Sequence, residues 1–295
     1  MHEQQSYRGE ERGMLTLVPT PIGNLEDMTY RAVSVLQAAD VIAAEDTRHT
    51  KKLCHAFEIQ TPLISYHEHN MHTRGPELLE RIRSGEHVAL VSDAGTPAIS
   101  DPGARLTQEA KAEQLTVTAL PGANAALTAL TASGLPTEAF LFAGFVSRQK
   151  KKRIEELEQW KPVQATLLFY ESPHRVAAFL QAALEVYGTR RAVIAREMTK
   201  QYETIISGTI EELAAWSGDT EIRGECVVLI EGADDETAAS LEPSAWWEEL
   251  TPAAHAAHYV EKEGMKPKDA VKLAAKERGV PKRDVYQAYH VDTDD

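Results

Sequence analysis

The sequence predicts an α/β protein of about two domains that is followed by a small helical bundle. Three observations lead to this prediction. The chain has 295 residues, enough for about two domains. Short apolar runs alternate with segments of helical periodicity, and most of these runs end in a loop rich in Gly and Pro. After an acidic, small-residue segment at 234–242, interpreted as a linker, the composition changes to short helices with a basic excess.

The first half of the chain predicts a mostly parallel sheet. The expected strands are 14–18, 41–44, 63–65, 88–91 and 115–120, and residues 1–13 form a polar tail. Thr29 can cap a helix whose apolar residues fall on one face, and a second helix is expected around 77–83. Asp101 occupies a predicted N-cap with Pro102 at the first helical position, and Gly134 ends a small-residue helix.

The second half predicts a mixed sheet, because its strands follow one another more closely. The expected strands are 140–145, 166–170, 192–196, 204–207 and 224–232. Ser172 and Pro173 are predicted to start a helix that Gly188 ends, and Thr209 with Glu212 forms a capping box. In the last domain, assigned to 243–295, three helices are expected at 252–264, 268–278 and 281–289. The turn between the last two resembles a helix-turn-helix.

Composition limits the classes of function. The net charge of −14 argues against general nucleic-acid affinity but leaves room for a local basic patch. No stretch is apolar enough to span a bilayer, the N-terminus lacks the apolar core of a signal peptide, and there are only two cysteines, so a cytoplasmic protein is expected. The H-E-H at 67–69 alternates between strand faces, so no metal site is predicted.

One loop predicts a ligand site. The strand at 88–91 runs into S-D-A-G-T-P-A-I-S-D-P-G, at the position where parallel α/β sheets carry their ligands. Gly95 would let a ligand approach the backbone, and Asp93, Thr96 and Asp101 offer polar groups around it. The alternative is a surface loop in which Gly and Pro only shape the turn.

Eight motifs occur in order between residues 15 and 232. They are V-P-T-P-I-G-N-L-E-D, A-E-D-T-R-H-T, Y-H-E-H-N, S-D-A-G-T-P-A-I-S-D-P-G, L-P-G-A-N-A, Y-E-S-P-H-R, R-E-M-T-K and G-E-C-V-V-L-I-E-G. With these motifs the chain closely resembles the tetrapyrrole methylase superfamily, and within it the enzymes that methylate small-subunit ribosomal RNA.

The resemblance implies two α/β domains, over 14–122 and 123–233, with S-adenosylmethionine in the cleft between them. It also implies a homodimer that methylates the ribose 2′-hydroxyl of a cytidine in the decoding region of 16S rRNA, within the small ribosomal subunit. The cofactor positions that it implies, together with the polar groups of the loop, are Asp93, Gly95, Thr96, Pro97, Ala98, Asp101, Pro121, Gly122, Ala123, Glu171, Gly224 and Val227.

Methyl transfer to a hydroxyl needs in-line placement of the acceptor and a group that takes its proton. The candidates for that group are Glu45, Asp46, His67, Glu68, Glu171, Glu197 and Lys200, each of which could equally form a structural ion pair. The candidate RNA contacts are Arg48, Tyr66, Arg148, Lys150, Lys151, Lys152 and Arg153, and the basic run among them could instead be a solvated helix start.

Two other functions stay open at this point. A tetrapyrrole methyltransferase would not need the basic run or the basic bundle. A non-catalytic RNA-binding protein on the same scaffold predicts a blocked cofactor cleft, although the cofactor motifs are intact in the sequence.

Overall fold

The computed structural model describes residues 3–4, 13–241 and 246–291. The chain divides into two compact units, Met1–Ala238 and Ala239–Asp295. Most of the polar tail predicted at 1–13, and both ends of the bundle predicted at 243–295, lie outside the described residues.

The first sheet is parallel throughout, as the alternation of strands and helices predicted. Its strands are β1 (Met14–Leu17), β2 (Val41–Ala44), β3 (Leu63–Ser65), β4 (His87–Val91) and β5 (Thr116–Ala119), in the order β3-β2-β4-β1-β5. The helices between them are α1 (Tyr30–Ala38), α2 (Thr47–Ala56), α3 (Met71–Arg83) and α4 (Gly103–Ala112). Since every strand runs in the same direction, the loops after β1, β2 and β4 meet at one edge of the sheet.

The second sheet is mixed, again as predicted. It follows α5 (Ala125–Ser133) and contains β6 (Phe140–Gly144), β7 (Thr166–Glu171), β8 (Arg191–Arg196), β9 (Thr204–Thr209) and β10 (Cys226–Ile230), in the order β6-β7-β10-β8-β9. Only β6 and β7 pair in parallel. Its helices are α6 (Lys150–Gln159), α7 (Val176–Tyr187), α8 (Ile210–Asp219) and α9 (Asp235–Leu241).

Local capping signals were reliable. Thr29 accepts a hydrogen bond from the Ala32 N–H at the start of α1, and Thr209 forms the predicted capping box with Glu212 at the start of α8. Gly134 ends α5 in the left-handed conformation, with φ of +71°.

Several boundaries differ from the predictions, and three differences concern helices outside the central loop. Helix α3 begins six residues before position 77 and contains Pro76 in its second turn. Helix α7 begins at Val176, after a turn, and not at Ser172. The segment interpreted as a linker contains α9, because the side chain of Asp234 accepts a hydrogen bond from the Thr237 N–H and acidic residues fill the first turn.

The second unit consists of α10 (Pro252–Glu263), α11 (Pro267–Glu277) and α12 (Lys282–Val291). Its apolar core contains Ala256, Val271, Ala274, Ala275 and Val285. Arg278 is not part of the basic surface that the sequence suggested. Its guanidinium donates to His255 Nδ1 at 3.1 Å and to the Trp247 carbonyl at 2.7 Å, so it is held inside the bundle.

Candidate active site

A cleft of about 500 Å³ lies between the loops of the first sheet and the ends of strands β7 and β10. We call it the central cleft. Its volume is in the range of ordinary small-molecule sites, about 300–1,000 Å³. Residues from both halves of the first unit line it: Ile22, Glu45, Ser92, Asp93, Ala94, Gly95, Thr96, Ile99, Ser100, Asp101, Asn124, Ala125, Phe145, Tyr170, Glu171, Ser172, Pro173, Met198, Lys200, Glu225, Cys226 and Val227.

The loop after β4 is tied to two other loops. Thr20 and Gly95 pair through two backbone hydrogen bonds, of 2.9 and 3.0 Å. The Thr96 hydroxyl donates to the Ala123 carbonyl at 2.9 Å. Because both backbone polar groups of Gly95 are used by Thr20, a ligand meets the bare Cα of Gly95 and not its amide.

Two residues of the same loop hold a backbone conformation that is uncommon for side-chain-bearing residues. Ala98 has φ of +68° and Ser100 has φ of +61°. Asp101 fixes this shape, because its Oδ1 accepts the Ala98 N–H at 2.8 Å and the Gly103 N–H at 2.7 Å. Helix α4 therefore begins with Pro102 as its N-cap residue, and Asp101 holds the loop instead of capping the helix as predicted.

Three carboxylates face one part of the cleft. Burial raises the pKa of Glu45, and the neighbouring charges of Asp93 and Asp101 raise it further. Burial also raises the pKa of Asp101. Asp93 accepts the Asp46 N–H at 2.9 Å and so connects the ends of β2 and β4. The cluster favours a positively charged ligand group on this side of the cleft.

The opposite wall carries a buried carboxylate. The side chain of Glu171 is fully buried, and its Oε1 accepts the Ser172 N–H at 2.8 Å and lies 3.2 Å from Arg175 Nε. Burial raises the pKa of Glu171. The hydrogen bond from Ser172 and the charges of Arg175 and Arg153 act to lower that pKa, but burial outweighs them. Its Oε2 is buried without a hydrogen-bond partner among the described residues.

Lys200 stands at the mouth of the cleft. Its Nζ lies 2.9 Å from Glu197 Oε1 and 3.1 Å from Glu225 Oε2. Burial acts to lower the pKa of Lys200, but the hydrogen bonds to these two carboxylates outweigh burial and raise that pKa overall. Glu197 and Thr199, in the same turn, have φ of +50° and +67°. This strained turn fixes a permanent positive charge beside the cleft.

The cofactor positions implied by the resemblance fall into two groups. Six of them line the central cleft: Asp93, Gly95, Thr96, Asp101, Glu171 and Val227. Pro97, Ala98, Pro121, Gly122, Ala123 and Gly224 are not among its lining residues. Two of the glycines among them are closely packed against other segments. A Cβ on Gly122 would lie 2.5 Å from Pro19 Cβ, and one on Gly224 would lie 2.2 Å from the Glu197 carboxylate.

Of the seven candidate proton acceptors, the structure brings Glu45, Glu171 and Lys200 to the central cleft. The other four lie outside its lining. Asp46 caps α2 and pairs with Arg48, and Glu197 is held by Lys200. Glu68 is exposed, whereas His67 is half-buried, with its Nδ1 lacking a hydrogen-bond partner among the described residues.

Two of the candidate RNA contacts are wrong as direct contacts. Tyr66 is 1% exposed and packs in the core of the first sheet, and Arg153 is 6% exposed beneath helix α6. The remaining ones, Arg48, Arg148, Lys150, Lys151 and Lys152, are exposed.

The sequence analysis missed the apolar lining of the cleft. Ile22, Phe145, Tyr170 and Met198 line it together with Val227. Phe142 and Phe145 both contact the Tyr170 ring, with centroids 4.9 and 5.6 Å apart. Ile22, Tyr170 and Met198 lie in quoted motifs, which was the available signal for them, whereas Phe142 and Phe145 lie in none. Their convergence depends on the packing of the two sheets.

Two other features, a metal centre and a membrane span, are absent from the described ranges. Residues 3–4, 13–241 and 246–291 contain no group of three His, Cys, Asp or Glu side chains placed to hold a metal ion. None of the helices there is long and apolar enough to cross a membrane.

Comparison with family models gives two matches. Residues 14–214 match the model of the tetrapyrrole (corrin/porphyrin) methylases, and residues 253–291 match the RsmI C-terminal HTH domain. The second match covers the three helices that the sequence had suggested to resemble a helix-turn-helix.

Curated relatives match along nearly the whole chain. A protein of Bacillus subtilis (strain 168) named Ribosomal RNA small subunit methyltransferase I is 51% identical over 292 residues, which cover 99% of each chain. One of the same name from Halalkalibacterium halodurans is 52% identical and covers 98% of this chain and 99% of the relative.

Solved structures share the fold of the first unit. Diphthine synthase is similar with a TM-score of 0.58 at 15% identity, covering 77% of this chain and 93% of that chain. Uroporphyrin-III C-methyl transferase from Thermus thermophilus, complexed with S-adenosyl homocysteine, has a TM-score of 0.54 at 19% identity, covering 74% of this chain and 97% of that chain.

Proposed function

The chain belongs to the tetrapyrrole methylase family, in the group named Ribosomal RNA small subunit methyltransferase I, and we propose that it methylates 16S rRNA with S-adenosylmethionine as methyl donor. The acceptor is the ribose 2′-hydroxyl of a cytidine in the decoding region. The observation that carries the proposal is a central cleft with an acidic side and an apolar side, in a chain that matches these relatives from end to end.

The residues of the central cleft fit this cofactor. S-Adenosylmethionine carries positive charge on its sulfur and amino group, which suits Glu45, Asp93 and Asp101. Its adenine suits the apolar strip that includes Tyr170 and Met198. The unpartnered Oε2 of Glu171 is a buried acceptor aimed at a hydrogen-bond donor. When bound, the cofactor supplies a methyl group on a positively charged sulfur.

Among the candidates, Glu45 is the proposed acceptor of the hydroxyl proton. Glu171 is already committed to Ser172 and Arg175, and Lys200 stays protonated between two carboxylates. Glu45 faces the cleft, and burial raises its pKa, which makes it a stronger base than an ordinary carboxylate. Lys200 lies beside the cleft as a hydrogen-bond donor held between Glu197 and Glu225.

Replacement of Glu45 tests this assignment. Glu45→Gln keeps the shape and a hydrogen-bonding group but cannot take the proton, so we expect kcat to fall about 10²–10⁴-fold. In the parent enzyme the rise of kcat with pH follows the ionisation of Glu45, and we expect this rise to be absent in Glu45→Gln. The measurement is transfer of labelled methyl groups to small subunits purified from cells that lack the modification.

Glu68→Gln is the matched control, because Glu68 is an exposed glutamate outside the central cleft. It should keep the parent rate and pH profile. A Glu45→Gln enzyme with the parent kcat would exclude Glu45 as the base. Absence of methyl transfer by the parent protein itself would overturn the proposed function.

We also propose that the enzyme is cytoplasmic, as its composition suggests, and a homodimer, as the resemblance implies. Light scattering of the purified protein gives the assembly directly, and a monomer mass at micromolar concentration would contradict it. Mapping the methylated nucleotide by chemical cleavage next to 2′-O-methyl groups tests the acceptor atom separately from the activity.

A further inference from the structure

Helix α2 separates two depressions on the first unit. On one flank, a cleft of about 520 Å³ is lined by His49, Thr50, Lys52 and Leu53 of the helix, and we call it the side cleft. On the other flank, a groove of about 750 Å³ is lined by Thr47, Arg48, Lys51, Cys54 and His55, and we call it the outer groove. The helix is therefore a ridge between two hollows.

The ridge is cationic along its whole length. Helix α2 has the sequence T-R-H-T-K-K-L-C-H-A and contains no acidic residue. Arg48, Lys51, Lys52 and His55 are spaced at i, i+3, i+4 and i+7, which places them on one face of a helix. With a rise of 1.5 Å per residue, they extend over about 10 Å.

The lysines of this ridge are not neutralised. Among the residues that the structure describes, neither Lys51 nor Lys52 forms an ion pair, and both are exposed. Arg48 does pair with Asp46, at 2.7 Å. By contrast, Lys150 and Lys151 of helix α6 lie within 4 Å of Glu185 and Glu155, at 3.4 and 3.9 Å. The α2 lysines keep their full charge for an external anion.

The side cleft opens onto the central cleft. The two have Ile22, Ser92, Asp93, Ala94, Lys200 and Glu225 in common. A group in the side cleft is therefore next to the proposed methyl-donor site, with Lys52 and His49 on one wall and Lys200 on another. The P-T-P-I-G-N loop supplies the floor through Thr20, Pro21 and Gly23.

The outer groove has the composition of a backbone-binding surface. Its basic side chains are Arg48, Lys51 and Arg74, of which Arg74 pairs with Glu77. Its neutral polar side chains include those of Thr47, Gln60, Thr61 and Ser65. No carboxylate is found among its lining residues in the described part of the chain. Lys and Arg together with hydroxyl and amide groups are the side chains that contact phosphate and ribose in protein–nucleic acid complexes.

From this arrangement we propose that helix α2 guides the RNA substrate into the active site. The backbone of the acceptor strand crosses the ridge, with its phosphates on Lys51 and Lys52. The flanking nucleotides occupy the outer groove, and the target nucleotide turns into the side cleft beside Lys200. The proposal rests on the proposed function for the identity of the RNA, but the phosphate contacts themselves are a property of the α2 surface.

The physical need for such a ridge follows from the net charge. A chain of −14 repels RNA at long range, so binding requires a local surface where positive charge is concentrated and uncompensated. Helix α2 supplies this surface directly beside the central cleft. It contains positions Lys51, Lys52 and His55, which the interpretation of the sequence had left out.

The test compares two double variants with the same change of charge. Lys51→Gln with Lys52→Gln removes the centre of the ridge. Lys161→Gln with Arg191→Gln removes two charges far from the central cleft. Strand β8 runs from Arg191 to Arg196, and Arg196 pairs with Cys226 at the cleft, so Arg191 lies at the end of the sheet away from it. Binding to small ribosomal subunits that lack the modification is measured over a salt series, and cofactor affinity by calorimetry.

Each lost phosphate contact lowers the salt slope by about 0.7–0.9, so the ridge variant should lose roughly 1.4–1.8 units of slope. Near 0.1 M salt this corresponds to binding roughly tenfold to a hundredfold weaker. Cofactor affinity should stay at the parent value, because neither lysine lines the central cleft. The control variant should keep the parent slope.

The proposal is overturned if the ridge variant binds RNA like the parent, or if both double variants lose the same RNA affinity. The two variants change the net charge equally, so only a local contact at α2 can make their affinities differ. A loss confined to a Lys150→Gln, Lys151→Gln, Lys152→Gln variant would place the backbone on α6 instead and overturn it too. Methyl transfer by the parent protein is scored separately: RNA binding through α2 without transfer would reject the proposed function and keep the ridge.

Discussion

Removal of the Asp101 carboxylate is the sharpest test of how the central cleft is built. Its Oδ1 accepts the N–H groups of Ala98 and Gly103 and holds Ala98 and Ser100 at positive φ. Asp101→Ala removes both hydrogen bonds at once. The loop can then relax to an ordinary backbone conformation, and we expect it to leave the shape that lines the cleft.

The magnitude follows from three contributions. Hydrogen bonds to a charged group contribute about 1.5–3 kcal/mol each, which gives roughly 3–6 kcal/mol for the pair. Burial of the carboxylate, which raises the pKa of Asp101, offsets part of this, and release of positive-φ strain at Ala98 and Ser100 returns about 1–2 kcal/mol for each residue. The free energy of unfolding should therefore fall by only about 1–2 kcal/mol.

The free energy of cofactor binding should weaken by more than the free energy of unfolding falls. The relaxed loop must return to its strained backbone conformation before it can line the cleft. A cost of about 1.4 kcal/mol corresponds to a tenfold loss, so we expect a ten- to hundredfold higher Kd. The assay is calorimetric titration with S-adenosylhomocysteine, alongside thermal unfolding. Asp101→Asn keeps an acceptor oxygen at the Oδ1 position and should recover most of the affinity.

The Asp234→Ala variant is the control, since Asp234 also accepts a backbone N–H but does not line the central cleft. It should leave cofactor affinity unchanged. If Asp101→Ala binds the ligand as tightly as the parent, the loop does not need this carboxylate, and the argument from strained backbone is wrong.

Two further predictions concern packing and pH. Gly122→Ala places a Cβ 2.5 Å from Pro19 Cβ, so it should lower the free energy of unfolding in urea by about 1–3 kcal/mol. Gly218→Ala is the control, because Gly218 lies in open space on α8, and it should raise that free energy by about 0.5–1 kcal/mol. Equal effects of the two substitutions would contradict the clash at Gly122. Burial and the charge of Arg278 lower the pKa of His255 below 6.5, so the unfolded chain takes up a proton here more readily than the folded one. The free energy of unfolding of the second unit should therefore fall as the pH falls below 6.5, and tryptophan fluorescence can follow this loss. In His255→Gln this loss should disappear, and its persistence would assign it to other groups.

Local signals in the sequence predicted much of the fold. The caps at Thr29 and Thr209 depend on neighbours three residues away, and the strand periods depend on adjacent residues. The nature of the two sheets also followed from the spacing between strands. By contrast, the burial of Tyr66 depends on contacts with segments distant in sequence, such as Pro102, so no local pattern marks it.

The basic residues of α2 and α6 are arranged differently around their helix axes. Consecutive residues of a helix turn by about 100°, so the four residues at 150–153 surround most of the α6 axis and one of them must face the protein. That residue is Arg153, which is buried near Glu171 and influences its pKa. A dense run therefore cannot present all of its charges to one partner. Arg48, Lys51 and Lys52 of α2 are spaced at i, i+3 and i+4 and lie on the exposed half of the helix, so all three charges are available to the RNA backbone that we propose crosses it.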